Sequence, residues 1–133
     1  MAKKKKPELE YRLNIFYHHN RHTKERKLVF LVRTIQEFVS FNYEILLEDK
    51  VEDRTIQIKI VGLNTPSSLM PGTGPALGKK EYTLLEGVYA LVVRKLDGTT
   101  NEFRLEITTD RVRILDSPKN PLVLISAEPV MLS

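Results

Sequence analysis

The sequence predicts an all-β fold, a single antiparallel β-sandwich of the immunoglobulin-like kind, with a small β-barrel as the alternative. Three observations carry that reading. Apolar residues recur at every second position over most of the chain, the mark of strands with one buried and one solvated face. An Asp97-Gly98 pair stands between two apolar segments, a strong short-range hairpin signal. No long stretch keeps the period of a helix. Strand count alone does not separate a sandwich from a barrel.

The elements follow in order. Residues 1–8 read as a flexible basic arm and residues 9–133 as one β domain, a length that suits a single core. Tyr11, Leu13, Ile15 and Tyr17 alternate with Arg12 and Asn14. "KLVFLVRTI" (27–35) predicts a strand buried on both faces, followed by a short helix or a bulge near Gln36–Phe38. Val39, Phe41, Tyr43, Ile45 and Leu47 alternate again, as do Ile56, Ile58 and Ile60. These last two runs predict a hairpin that pairs Ile45 with Ile58, Leu47 with Ile56 and Glu44 with Lys59, turning near Lys50–Asp53.

The Asp97-Gly98 turn, taken as a two-residue loop, sets Val92 opposite Phe103, Ala90 opposite Leu105 and Val88 opposite Ile107. "VRIL" (112–115) and "LVLIS" (122–126) predict two last strands, giving seven or eight in all. Residues 64–79, "NTPSSLMPGTGPALGK", hold three prolines and three glycines and read as one long loop.

Charge and composition bound the function. Residues 1–33 carry ten Lys/Arg against three Glu, while the rest carry eleven against fourteen acidic residues. A basic arm on a mildly acidic body points to acidic partners or to a solubilising tail. With no cysteine, a disulfide scaffold, a thiolate zinc site and a cysteine nucleophile are all excluded. No apolar stretch follows the basic start and none is long enough to span a bilayer, so a soluble, cytoplasmic protein without membrane contact is expected.

The candidate sites are few. In the long loop, Pro71, Gly72 and Gly74 would let a ligand or partner approach the backbone, and Lys79 and Lys80 would meet an anion. A phosphate-binding loop is not met, because Gly72 and Gly78 are wrongly spaced and Lys79 is followed by Lys80 rather than a hydroxyl residue. "YHHNRHTKERK" (17–27) holds all three histidines, His18, His19 and His22. Three imidazoles suit zinc or nickel, but Arg21, Lys24, Arg26 and Lys27 repel a cation, so these are weak metal candidates and no cofactor is expected.

Those same cations, with Lys3, Lys4, Lys5 and Lys6, form the nucleic-acid candidate, in which Phe16 and Tyr17 stack on bases. The acidic "EDKVED" (48–53) lacks the glycine a calcium loop needs. No histidine stands outside the 17–27 segment, and no carboxylate lies inside an apolar run that would raise its pKa. The reading is a non-enzymatic interaction module binding another protein or itself, with nucleic-acid binding as the alternative.

Overall fold

A computed structural model describes residues 10–38, 43–64, 74–83, 85–119 and 121–130. The lysine arm with Lys3–Lys6, the strand positions Val39 and Phe41, and the loop candidates Pro71 and Gly72 lie outside these residues. The described chain is all-β. Its nine strands are β1 (Tyr11–His19), β2 (Arg26–Phe38), β3 (Glu44–Glu52), β4 (Thr55–Asn64), β5 (Gly74–Tyr82), β6 (Gly87–Lys95), β7 (Thr100–Ile107), β8 (Val112–Asp116) and β9 (Val123–Ser126).

They form one sheet in the order β8-β7-β6-β4-β3-β5-β2-β1-β9, nearly closed into a barrel. The described residues fit the barrel alternative, and among them the two separate layers of a sandwich are not found. Nor is the sheet antiparallel throughout: β1–β9, β3–β5 and β4–β6 are parallel pairs. Period-two patterning reports which face is buried, not which way a neighbour runs, so these pairs left no trace in the sequence.

One core fills the barrel, with Leu13, Ile15, Phe30, Ile58, Leu91 and Phe103 nearly inaccessible to solvent. Leu28 to Val32 are all buried, as expected for a strand covered on both faces. The second cover is the segment after β9: Val130 packs on Phe16, Val29 and Leu31, on the outside of the barrel. We call residues 127–130 the strap. Asn14 lies beneath it and donates from Nδ2 to the Glu128 carbonyl at 3.1 Å.

Where β8 and β9 leave the barrel open, side chains reach across. Tyr17 Oη donates to the Thr108 carbonyl, and Arg26 Nη1 donates to the Thr109 carbonyl. Leu122 N–H donates to Asn101 Oδ1 at 2.7 Å, and Lys95 Nζ meets Glu10 Oε1 at 2.7 Å.

Both hairpin registers differ from the sequence reading. In β6–β7, Leu91 lies opposite Phe103, Tyr89 opposite Leu105 and Gly87 opposite Ile107. The loop is Leu96-Asp97-Gly98, three residues rather than two: Lys95 N–H donates to the Thr99 carbonyl at 2.9 Å, and Gly98 adopts φ 90°. A turn closed by a left-handed glycine is the usual three-residue hairpin loop. Asp97 Oδ1 reinforces it by accepting from Thr99 N–H at 2.9 Å. The extra residue turns Tyr89, Leu91 and Val93 inward and leaves Val88 exposed.

In β3–β4 the turn is Asp53-Arg54, with φ of 48° and 63°. Positive φ at both central residues makes a type I′ geometry without glycine. Arg54 is secured there by donating to the Glu86 carbonyl at 2.6 Å and by lying over the Tyr89 ring. Val51 therefore faces Ile56, Glu48 rather than Glu44 faces Lys59, and Ile45 faces Leu63 beyond a bulge at Leu46/Leu47.

The expected 64–79 loop is partly a strand. β5 starts at Gly74 and holds Gly74, Lys79 and Lys80 in extended backbone. Pro75 pairs with Glu37 at the edge of a bulge in β2 that falls between Arg33 and Glu37, opposite Ala76. There the Thr34 hydroxyl replaces the missing ladder, accepting from Ala76 N–H at 2.8 Å and donating to the Gln36 carbonyl at 2.8 Å. Of the two options read near Gln36–Phe38, the bulge is the one observed.

Candidate functional site

The weakest lateral join in the barrel is between β3 and β5. Leu77 N–H donates to the Tyr43 carbonyl at 3.3 Å, and Glu44 pairs with Leu77. Beyond that pair no ladder joins the two strands, although β5 continues to Tyr82 and β3 to Glu52. The two strands nonetheless stay close, since a Cβ at Gly78 would run into the Ile45 carbonyl, so the seam is poor in ladder bonds without being open to a strand between them.

A groove of about 720 Å³ opens along this seam on the outer surface. Its apolar lining comes from Leu31 of β2, Leu46 and Leu47 of β3, Leu77 of β5 and Val130 of the strap. Leu46 is 39% exposed and Leu77 46%, large values for leucines within strands. On the outer face, Arg33, Leu77 and Glu44 lie in register across β2, β5 and β3. A leucine is thereby flanked by a cation on one side and an anion on the other. Lys79 and Lys80 stand on the rim.

Past the groove the seam is held by side chains. Tyr82 Oη donates to Asp49 Oδ2 at 2.6 Å, and Lys80 Nζ lies 3.3 Å from Asp49 Oδ1. The tyrosine bond, then the lysine, hold the Asp49 carboxyl below the usual carboxylate range. Burial, then the carboxylate beside it, push the Tyr82 hydroxyl above its ordinary value. Both shifts favour the same state, a charged Asp49 and a neutral Tyr82.

A pH dependence follows from the signs. Asp49 is depressed in the fold, so its stabilisation is present above its unfolded pKa of about 4 and is lost as pH falls through the lower folded value. Tyr82 is raised, so its share is complete below about pH 10 and is lost only as pH rises through the folded value. Asp49→Asn is expected to lower the melting temperature near neutral pH. The gap to the wild-type protein should narrow on acidification below about pH 4. Thermal melts of both proteins across pH check this, and a gap that stays constant into acid would exclude a charged Asp49 as the clasp.

Of the residues singled out in the sequence, Lys79 and Lys80 come to this groove. Gly74 lies at the start of β5, beside the groove-lining Pro75. The histidines do not converge in a loop. His18 and His19 are the last residues of β1, opposite Lys27 and Arg26, and successive strand residues point to opposite faces. His22 lies in the turn that follows, where its N–H donates to Asn20 Oδ1 at 2.9 Å. Among the described residues, no three His, Asp or Glu side chains gather in a way that would hold a metal ion.

The basic cluster is divided as well. Arg26 is taken up by the Thr109 carbonyl and by the Tyr17 ring, 4.0 Å below its guanidinium. Lys27 lies 3.8 Å from Glu25. Arg21 and Lys24 remain exposed at the hairpin tip, and Tyr17 is covered where a stacked base would need it free.

Arg33, Leu46, Leu77 and Val130 were missed in the sequence. The signal for Leu77 was present, since "PALGKKEY" places it out of phase with Ala76 and Gly78, but proline and glycine content hid the strand. No family model, curated protein or solved structure matches the chain.

Proposed function

We propose that the protein is a non-enzymatic interaction module whose contact surface is the β3–β5 groove, and that it takes an extended peptide segment of another protein. The observation that carries this reading is the apolar groove itself, with Leu46 and Leu77 exposed on the outer face of the sheet. The segment lies on the outer face of the sheet, and its alternate side chains fill the space above Leu31, Leu46 and Leu77. The reading assigns no reaction to the site and requires no cofactor, and a cytoplasmic location accompanies it.

A displayed library of random peptides panned against the intact chain tests the reading. Enriched sequences should be extended and carry aliphatic residues at every second position. Leu77→Arg, which places a charge on an exposed position without touching the core, should weaken the best of them about thirtyfold or more. Enrichment of no sequence, or binding unchanged by Leu77→Arg, would overturn the assignment. Concentration-dependent dimers in light scattering that Leu77→Arg abolishes would replace the foreign peptide with a second copy of this chain.

Nucleic acid is left with the exposed Arg21 and Lys24 and the N-terminal lysines. Oligonucleotide titration at rising salt distinguishes it, because affinity carried by those cations falls steeply with ionic strength.

A further inference from the structure

We infer that the groove reads a carboxylate, so that its peptide carries an aspartate or glutamate beside the aliphatic residue seated on Leu77, and that Arg33 binds it. This rests on the docking reading above and adds the chemistry of the ligand.

Three observations point to Arg33. Arg12 of β1 lies directly opposite Arg33 of β2. Like charges facing each other across two strands are destabilising, and a bound anion would relieve them. Among the described residues neither arginine has an ion-pair partner, whereas Lys79 lies 3.8 Å from Glu81 and Lys80 is committed to Asp49. Finally, Arg33 Nε is buried without a hydrogen-bond partner, although Nη2 donates to Asn14 Oδ1 at 2.9 Å. Buried donors are rarely left so, because the lost hydration is not replaced.

The guanidinium is also held in position. Asn14 accepts from it and in turn donates to the strap at Glu128, so strand, arginine and strap form one chain of hydrogen bonds. Arg33 lines both the main groove and a neighbouring hollow of about 260 Å³ that it shares with Arg12 and Glu37. A carboxylate arriving along the groove can pair with the guanidinium there through N–H donors other than the buried Nε, a charge-assisted bond. Glu44 on the opposite side of Leu77 repels the same group, so the carboxylate is kept to the Arg33 side of the groove. A lysine or arginine on the other flank of the ligand fits Glu44.

The test uses capped peptides built on the best library sequence, with glutamate, glutamine or lysine at the residue flanking the aliphatic anchor, titrated against the intact chain. Glutamate should bind about tenfold more tightly than glutamine, and lysine should be weakest. Arg33→Glu should reverse the order and favour lysine. Because Arg33 also secures the strap, Arg12→Gln serves as a second variant that leaves Asn14 and Glu128 untouched, and it should reduce the glutamate preference without removing it.

Peptides that bind with no preference among the three residues, in a complex still lost on Leu77→Arg, would overturn the carboxylate while leaving the groove. Binding by no peptide would overturn both. A preference for glutamate that persists unchanged in Arg33→Glu and Arg12→Gln would assign the carboxylate to other cations and overturn the role of Arg33.

Discussion

Replacing Phe30 by alanine is expected to remove about 3–5 kcal/mol of stability, the range for deleting a buried aromatic ring. Phe30 is fully inaccessible and lies opposite Ile15 on β1 and Lys80 on β5. Its ring meets Tyr82 edge to face, with centroids 5.4 Å apart and planes at 89°. Such a pair adds about 0.5–1.5 kcal/mol beyond the burial of its area.

The effect should reach past the core, because Tyr82 is the residue that ties Asp49 across the seam. Freed of its neighbour, the tyrosine holds that bond less firmly. Domains of this kind are stable by only about 5–15 kcal/mol, so the loss is large against the total. Denaturant unfolding measures it. Phe30→Leu, which keeps most of the apolar volume, should cost much less. If alanine and leucine cost the same, the ring is not packed as described.

What the sequence revealed and what it hid divide along physical lines. Alternation at Leu13 and Ile15, and at Ile56, Ile58 and Ile60, gave the inward face of β1 and β4 directly, because polar residues separate the apolar ones. In "VYALVV" both parities are apolar, so the side chains alone do not choose between Val88, Ala90, Val92 and Tyr89, Leu91, Val93. The choice fell to the turn, and one extra residue in that turn inverted the strand. The larger volume of Tyr, Leu and Val was the signal that favoured the observed set.

For β5 the obstacle was different. Proline and glycine are read as strand breakers because of lost donors and lost side chains, yet Pro75 stands at the edge of a bulge and Gly78 answers to a close neighbour. Both reasons lie in partners remote in sequence. The groove was hidden for the same reason, since β2, β3, β5 and the strap meet only in the folded chain. Lys79 and Lys80 were found because charge is visible one residue at a time, whereas the leucines between the strands look like core until the fold turns them outward.

Gly78→Ala is expected to strike fold and site together. The φ of Gly78 is not positive, so no special backbone conformation demands glycine here. Space does. A methyl group at this position would run into the Ile45 carbonyl oxygen and stand 3.0 Å from the Ile45 Cβ. The obstacle is backbone of β3, held on its other side by pairing with β4, and it does not swing aside as a side-chain tip would. The strain must then part β3 from β5, at the place where Glu44 and Leu77 form their single paired position.

A loss of about 1–3 kcal/mol is expected, the usual cost of overfilling a packed site. Hydrogen exchange should show it as faster exchange of the Leu77 amide, whose bond to Tyr43 lies one step from the clash. Peptide binding should weaken too, since the groove walls are the strands being parted. Gly98→Ala supplies the contrast: that glycine has a left-handed φ but open space around it, so alanine strains one turn and leaves the groove intact. If Gly78→Ala melts like the wild-type protein and keeps the Leu77 amide protected, β3 and β5 do not approach as closely as the seam requires. The groove between them would then have a different shape.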